Sequence, residues 1–322
     1  MAYTDIDKPS DFMNVVTYTG NGAERTISGV NFQPGMTFIK SRSNGQDQSI
    51  EDSVRGAQKQ LSTIGEQTET TYGQYVKSFN SDGFVLGTDA QINQNSQTFV
   101  SWNFKKDAAS GFDIIGYEGN GQARTIAHGL NSAPRAIVVK ARDVANRPWC
   151  FYHVDYGNTN TIFWNTAASG GSYDDWNNTH PTSSVFSLKG NPTNTDGGNH
   201  IAYMWADVQG CTKVSSYIGN GDANGPFVYL GFKPAFLLIK NTAAQPWNIY
   251  DNKRDGINPN NPPLLTHADT AEGADGLIDL LSNGFKIRNS VAALNESAAT
   301  MLYVAMAENP FVTSTGIPAT AR

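Results

Sequence analysis

A segment of this chain recurs three times, its tyrosines 99 and 100 residues apart and its prolines and lysines 100 residues apart, and this repeat limits the folds open to the chain. Each copy carries Tyr-x-Gly-Asn-Gly, then a proline, a short apolar run and a lysine. The copies begin at Tyr18, Tyr117 and Tyr217, their prolines are Pro34, Pro134 and Pro234, and their lysines are Lys40, Lys140 and Lys240. A period this long indicates a structural unit that folds in the same way each time.

The repeat divides the chain into three blocks. We place block 1 at residues 12–106, block 2 at 112–210 and block 3 at 212–310, with an N-terminal arm at 1–11 and a C-terminal tail at 311–322. Only 16% of the residues are charged, glycine is abundant, and segments with helical periodicity are missing. Short strands joined by polar turns produce this pattern. The sequence therefore predicts an all-β protein of three tandem antiparallel β-sandwich-like (jelly-roll-like) repeats.

Two strand patterns recur in each block. A continuous apolar run at 36–39, 136–139 and 235–239 predicts a central strand that is buried on both faces. Each block also closes on a strand whose apolar residues alternate, and alternation predicts that they face a core. These residues are Val100, Trp102 and Phe104, then Ile201, Tyr203 and Trp205, then Leu302, Val304 and Met306. In block 1, the one plausible helical turn is in the polar stretch 57–74.

Composition weighs against several partners and compartments. The net charge is −6 and no Lys/Arg cluster stands out, so we expect no nucleic-acid partner. No apolar stretch is long enough to cross a bilayer, and the first residues lack the features of a signal peptide. Cys150 and Cys211 form no disulfide or metal pattern, which predicts free thiols in a protein made in a reducing cytoplasm.

The repeated motifs have a structural and a functional interpretation. Gly-Asn-Gly resembles part of a phosphate-binding loop, but no copy has the third glycine and the following helix that a dinucleotide site needs. A tight hairpin turn is the better interpretation. Lys40, Lys140 and Lys240 could contact a ligand. Because they recur in every block, we predict scaffold lysines whose stems cover apolar surface while the ammonium groups stay in water.

No catalytic constellation is visible. The five histidines lack metal-ligand spacing, no Gly-x-Ser-x-Gly elbow occurs, and the neighbouring carboxylates Glu51-Asp52 and Asp174-Asp175 are typical of solvated surface. The loop 194–199 lacks the ligand spacing of a calcium-binding EF-hand, and turn chemistry explains it. We therefore predict no enzymatic activity, no cofactor and no metal.

One loop carries more than turn chemistry. Residues 170–179 combine aromatic rings with carboxylate and amide groups, and a sugar site needs a flat apolar platform beside planar hydrogen-bonding groups. The candidate glycan-binding residues are Tyr173, Asp174, Asp175, Trp176 and Asn177. The alternative is that Trp176 folds back to cap the core while the rest of the loop faces water.

Several motifs together resemble a known group of proteins. They are Tyr18-Thr-Gly-Asn-Gly, Ser53-Val-Arg-Gly56, Ser81-Asp-Gly-Phe84, Phe99-Val-Ser-Trp-Asn-Phe104 and the ending Met306-Ala-Glu-Asn-Pro-Phe311. The combination resembles the repeat-bearing virion proteins, tail-associated or decorating, of marine tailed bacteriophages, along nearly the whole chain. Block 2 departs from the pattern at 183–186, and block 3 lacks the Arg-Thr-Ile element that follows the turn in the other blocks.

The resemblance implies a non-enzymatic component of the virion, made in the host cytoplasm. We expect a tail-fibre-like, receptor-binding or capsid-decorating subunit whose partners are other tail or capsid proteins. By analogy with phage appendages it would be a homo-oligomer, with a trimer as the expected form, and its polar arm and tail would become ordered against a partner. The alternative is a lectin-like module that recognises host surface glycan through loops such as 170–180. An enzyme acting on polysaccharide is a third, weaker hypothesis.

Overall fold

The computed structural model describes residues 3–259, 263–273 and 277–318. Its regular structure is almost entirely antiparallel β-strand, so the predicted all-β, sandwich-like fold is confirmed. Each block contributes one large sheet and one smaller sheet.

Block 1 follows a short 3-10 helix at Pro9–Asp11. Its large sheet has the order β1-β9-β3-β4, its smaller sheet has the order β2-β8-β7, and β5 pairs with β6. The predicted helical turn within 57–74 is wrong, because that stretch contains β5 and β6 and the helix α1 lies later. The elements are β1 (Met13–Thr19), β2 (Arg25–Ser28), β3 (Met36–Ser41), β4 (Ser49–Asp52), β5 (Lys59–Gln60), β6 (Thr70–Thr71), β7 (Val76–Asn80), β8 (Gly83–Leu86), α1 (Ala90–Asn93) and β9 (Thr98–Phe104).

Block 2 begins after a 3-10 helix at Ala108–Ser110. Its large sheet has the order β10-β17-β12-β13-β14-β15, and its smaller sheet pairs β11 with β16. The strands are β10 (Phe112–Glu118), β11 (Arg124–Ala127), β12 (Ala136–Ala141), β13 (Cys150–His153), β14 (Asn160–Phe163), β15 (Gly171–Ser172), β16 (Val185–Leu188) and β17 (Asn199–Trp205).

Block 3 repeats this order of strands. Its large sheet is β18-β25-β20-β21-β22 and its smaller sheet is β19-β24-β23, so the first, last, third and fourth strands are neighbours in every block. The elements are β18 (Thr212–Ile218), β19 (Phe227–Tyr229), β20 (Phe232–Asn241), β21 (Trp247–Asp251), β22 (Leu264–Leu265), β23 (Ile278–Leu281), β24 (Gly284–Ile287), α2 (Ala292–Asn295) and β25 (Thr300–Pro310).

The apolar runs form the third strand of each block, as predicted, and all of β3 and β12 is buried. In β12, Ile137 and Val139 pack in a core between the large and the smaller sheet of block 2. Ala136 and Val138 face the opposite way, toward side chains of the other blocks. Both faces of the strand are therefore covered, which explains why the run is continuous instead of alternating.

The alternating residues of the closing strands meet in one place. All nine that were predicted to face a core are buried in a single cluster, which we call the central core and which contains side chains from all three large sheets. The prediction of their burial is confirmed. The blocks therefore share a core in addition to the separate core that each large sheet forms with its smaller sheet.

Polar contacts close the three blocks into a ring. Block 1 contacts block 3, block 2 contacts block 1, and block 3 contacts block 2. The three hydrogen bonds that mark these junctions are Trp102 Nε1 to Asp251 Oδ2 at 2.9 Å, Tyr203 Oη to Asp52 Oδ2 at 2.7 Å, and His153 Nε2 with Tyr303 O at 3.3 Å. Asp52, His153 and Asp251 each end the fourth strand of their sheet, so the junctions use corresponding positions.

The Tyr-x-Gly-Asn-Gly motif fixes the crossing between the two sheets of a block. In block 3, Tyr217 Oη donates to Leu294 O at 2.7 Å, and the buried Asn295 accepts from the Asn220 backbone N–H through Oδ1 at 2.8 Å. A Cβ on Gly219 would lie 2.2 Å from Glu296 O, so no larger residue fits there. The predicted hairpin is wrong in one respect: the turn leads from the large sheet to the smaller one, and its two flanking strands do not pair.

Candidate functional site

The three recurring lysines are buried. Lys240 Nζ donates to the carbonyl oxygens of Gln245 at 2.6 Å, Ala243 at 2.9 Å and Ala167 at 3.2 Å, and the last of these belongs to block 2. Lys40 and Lys140 are likewise buried and bonded to backbone carbonyl groups. Burial lowers the pKa of each lysine to about 8. The scaffold interpretation therefore fits, whereas the expectation that the ammonium groups stay in water is wrong.

Two of the three junctions between blocks contain the same chain of charges. Each runs from an arginine of one block through a glutamate to a buried arginine–aspartate pair of the next block. The chains are Arg142–Glu69–Arg55–Asp52 and Arg42–Glu272–Arg254–Asp251. The third junction has His153 where the others have aspartate, and burial lowers the pKa of its imidazole to about 4. Removing Arg55 would leave the buried carboxylate of Asp52 without its cationic partner, which is strongly destabilising.

The structure separates the predicted sugar-binding residues into a buried and an exposed group. Trp176 is buried in the core of block 2, with its ring centroid 5.5 Å from that of Tyr152. Asp175 is also buried and accepts from Thr161 Oγ1 at 2.8 Å, and burial raises the pKa of its carboxyl to about 6. Trp176 cannot offer a ring face to a sugar. The alternative, in which this residue caps the core, describes its position correctly.

The other three residues of that loop remain accessible. Tyr173 is 45% exposed, and its ring centroid lies 5.1 Å from that of Phe163. Asp174 is paired with Lys189, and both side chains are about half exposed. Asn177 adopts a left-handed backbone conformation with φ of 50°. This surface offers one tyrosine ring beside a carboxylate and an ammonium group.

The N-terminal arm packs on its own chain. Thr4 and Ile6 are buried, Thr4 Oγ1 donates to Gln209 O at 2.7 Å, and Tyr3 Oη donates to Gly231 O at 2.9 Å. Asp7 accepts from the backbone N–H and the hydroxyl of Ser314, both at 2.6 Å, so the arm also contacts the tail. The described part of the arm therefore packs on blocks 2 and 3 and on the tail of its own chain.

An apolar surface lies beside this arm, on the smaller sheet of block 3. Phe227 is 46% exposed and Tyr229 is 55% exposed, both on the outer side of β19. The corresponding strand β2 of block 1 exposes Thr26 and Ser28, with Ile27 between them facing the core as Val228 does. Tyr229 Oη lies 3.3 Å from Tyr3 Oη. The one sequence feature that marks this surface is that block 3 lacks the Arg-Thr-Ile element that the other two blocks carry.

The cysteines add no candidate functional residue, and the described residues form neither a metal-binding group nor a membrane-spanning helix. Cys150 and Cys211 are buried free thiols, and burial raises the pKa of both. Within residues 3–259, 263–273 and 277–318, no group of three His, Cys, Asp or Glu side chains is arranged to hold a metal ion. The helices in that part of the chain are too short and too polar to cross a membrane.

Comparison with known proteins identifies a family but no activity. The model of a family described as a domain of unknown function, DUF7483, matches residues 8–310 and so spans all three blocks. No curated protein matches the chain significantly. The chain belongs to the DUF7483 family.

Proposed function

We propose that this chain is a non-enzymatic structural protein of a bacteriophage virion. It docks on another virion protein through the surface that the N-terminal arm shares with the smaller sheet of block 3. The proposal rests on the resemblance described above and on one observation, the exposed Phe227 and Tyr229. A tail-fibre-like, receptor-binding or capsid-decorating subunit would each need a surface of this kind to attach to the particle.

The other blocks supply the reason to regard this surface as special. Blocks 1 and 2 carry Thr26, Ser28, Thr125 and Ala127 at the corresponding exposed positions, so the strand folds well with small side chains. Large apolar side chains are therefore not needed there for folding. Exposed aromatic residues at such positions are typical of sites that bind another protein.

The ring of blocks supports a scaffold role. Its junctions use buried charges and hydrogen bonds between residues far apart in the chain, and these contacts hold the blocks in one arrangement. A rigid body with an exposed apolar surface at Phe227 and Tyr229 suits a subunit that must sit at a defined place in a particle. Assembly into a homo-oligomer, with a trimer as the expected form, belongs to this proposal.

The test replaces the apolar face with the residues that block 1 carries. In phages encoding Phe227→Thr together with Tyr229→Ser, the protein should fold with an unchanged thermal midpoint but be depleted at least tenfold from purified particles. The matched control exchanges Thr26 and Ser28 for other small polar residues, and its copy number should stay normal. Normal incorporation of the folded double variant would contradict the docking surface.

The second candidate is a lectin-like module, favoured by Tyr173, which is exposed beside the Asp174–Lys189 ion pair. Aromatic rings next to charged hydrogen-bonding groups suit the apolar and polar sides of a sugar. A glycan array on the purified chain tests this function directly. Any binding should be lost in Tyr173→Ala and retained in Tyr72→Ala, since Tyr72 is a similarly exposed tyrosine in block 1.

A further inference from the structure

The smaller sheet of block 3 has an edge strand, β19, whose outward backbone groups have no partner among the described residues. Just after β19, Leu230 N–H donates to Asn283 O at 2.9 Å, so the backbone groups of Leu230 and Val228 face the neighbouring strand β24. Backbone groups alternate in direction along a strand, and those of Phe227 and Tyr229 therefore point away from the sheet. No described residue bonds the backbone N–H or C=O group of either one.

Two neighbouring edges of block 3 are closed. At the opposite edge of the same sheet, the Asn258 side chain accepts from Leu280 N–H and donates to Leu280 O, both at 2.9 Å. At the outer edge of β18 in the large sheet, Val214 N–H donates to Asp207 Oδ1, and Val214 O accepts from Arg135 Nε, both at 2.8 Å. Open edge groups are a template for pairing with another chain, so proteins usually cover them. The edge of β19 is left open beside edges that are covered.

The corresponding strands of blocks 1 and 2 carry a charge that discourages pairing. β2 begins with Arg25 and β11 begins with Arg124, and charged side chains on an edge strand oppose the addition of another strand. Block 3 has Pro226 at this position. The Pro226 carbonyl faces β24, where it accepts from Ile287 N–H at 3.0 Å, so the N–H that proline lacks is not on the open side. Block 3 therefore has neither an edge charge nor a proline that blocks its open edge.

The side chains of β19 indicate the kind of segment that fits this edge. Phe227 and Tyr229 are two residues apart, so both rings lie on the same face of the sheet beside the open groups. Aromatic and β-branched side chains make favourable cross-strand pairs with such rings. The open edge ends at Tyr229, because Gly231 O already accepts from Tyr3 Oη at 2.9 Å and from Phe311 N–H at 3.1 Å.

We propose that an extended segment of the partner virion protein adds to β19 as a further strand of the smaller sheet of block 3. Its backbone bonds the outward N–H and C=O groups of Phe227 and Tyr229. Its alternate side chains, aromatic or β-branched, pack on the two rings. In this mode of recognition main-chain hydrogen bonds supply affinity and alternate side chains supply specificity. This inference rests on the proposed docking function and specifies how the partner is held.

Hydrogen–deuterium exchange resolved to single amides tests the pairing, on the free full-length chain and on purified particles. The amides of Phe227 and Tyr229 should exchange quickly in the free chain and at least about a hundredfold more slowly in the particle. The amides of Thr26 and Ser28 are the matched control and should exchange equally in both states. Slow exchange of Phe227 and Tyr229 in the free chain would overturn the open edge. Unchanged exchange in particles that contain the chain would overturn the strand pairing and leave the docking function standing.

A proline variant separates the backbone group from the ring. Phe227→Thr and Phe227→Pro both remove the aromatic side chain, but only the second removes the outward N–H. Phe227→Pro should therefore enter particles at least about threefold less than Phe227→Thr, with a similar thermal midpoint. Thr26→Pro, the matched change in block 1, should be incorporated normally. Equal copy numbers of the two Phe227 variants would overturn the use of this edge. A wild-type chain that is absent from particles would overturn the docking function and this inference together.

Discussion

Glu51 offers the sharpest test of how burial controls stability in this fold. It occupies in block 1 the sheet position of Tyr152 and Tyr250, and its side chain is fully buried. Oε1 accepts from the Val76 backbone N–H at 2.9 Å, while Oε2 has no partner among the described residues. Burial, only partly offset by the Val76 bond and the Arg55 charge, raises the pKa of Glu51 to about 7.

The sign of the pH effect follows from this raised pKa. Between pH 4.5, the ordinary value for a glutamate, and about 7, the folded state holds a proton that the unfolded state has released. The stability of the wild type therefore falls as pH rises through this window, and the loss amounts to about 3 kcal/mol. Glutamine has the shape of the protonated side chain and keeps the acceptor for Val76. Glu51→Gln should differ from the wild type by no more than about 1 kcal/mol at pH 5 and exceed its stability by about 3 kcal/mol at pH 8.

Urea denaturation of both proteins at pH 5, 6, 7 and 8 measures this difference, and other titrating groups cancel because both proteins carry them. Glu118→Gln is the matched control, since Glu118 is exposed and the change in net charge is the same. Its difference from the wild type should stay within about 0.5 kcal/mol at every pH. A constant offset between Glu51→Gln and the wild type across the series would refute the reasoning.

Three further predictions concern the ring, the turn and the lysines. Trp102→Phe removes the bond to the buried carboxylate of Asp251 and should lower the free energy of unfolding by about 1.5–3 kcal/mol in chemical denaturation. A smaller loss would show that this hydrogen bond contributes little to the free energy of unfolding. Gly219→Ala puts a methyl group against the Glu296 carbonyl oxygen and should lower the thermal midpoint, whereas alanine at the open position Gly197 should cost less. Lys240→Met should destabilise at pH 7 because it leaves buried carbonyl groups unpaired. Since the pKa of Lys240 is lowered to about 8, the wild type gains stability between pH 8 and 10.5, and its advantage over Lys240→Met should widen there.

The sequence predicted the local structure well because each block encodes it in short-range patterns. Alternation at period two placed Val100, Trp102 and Phe104 on one face, and the continuous run at 36–39 marked a strand covered on both sides. Gly-Asn-Gly marked a turn, and Gly219 has space only for hydrogen. The strand patterns are periodicities within single strands, and glycine is typical of tight turns, so the residues themselves report these features even though the contact that excludes a side chain at Gly219 comes from the distant Glu296.

Which faces meet across the blocks was decided only by the tertiary structure. Trp102 and Asp251 are 149 positions apart, and nothing near either residue identifies the other as its partner. Trp176 has the composition of a sugar platform, yet the core of block 2 takes up its ring because burying an indole is favourable. The lysines followed a surface pattern, yet all three are buried, and Lys40 and Lys240 donate to backbone carbonyl groups of neighbouring blocks. The pattern along a block shows which side chains are able to lie in a core, and packing within and between the blocks determines which of them do.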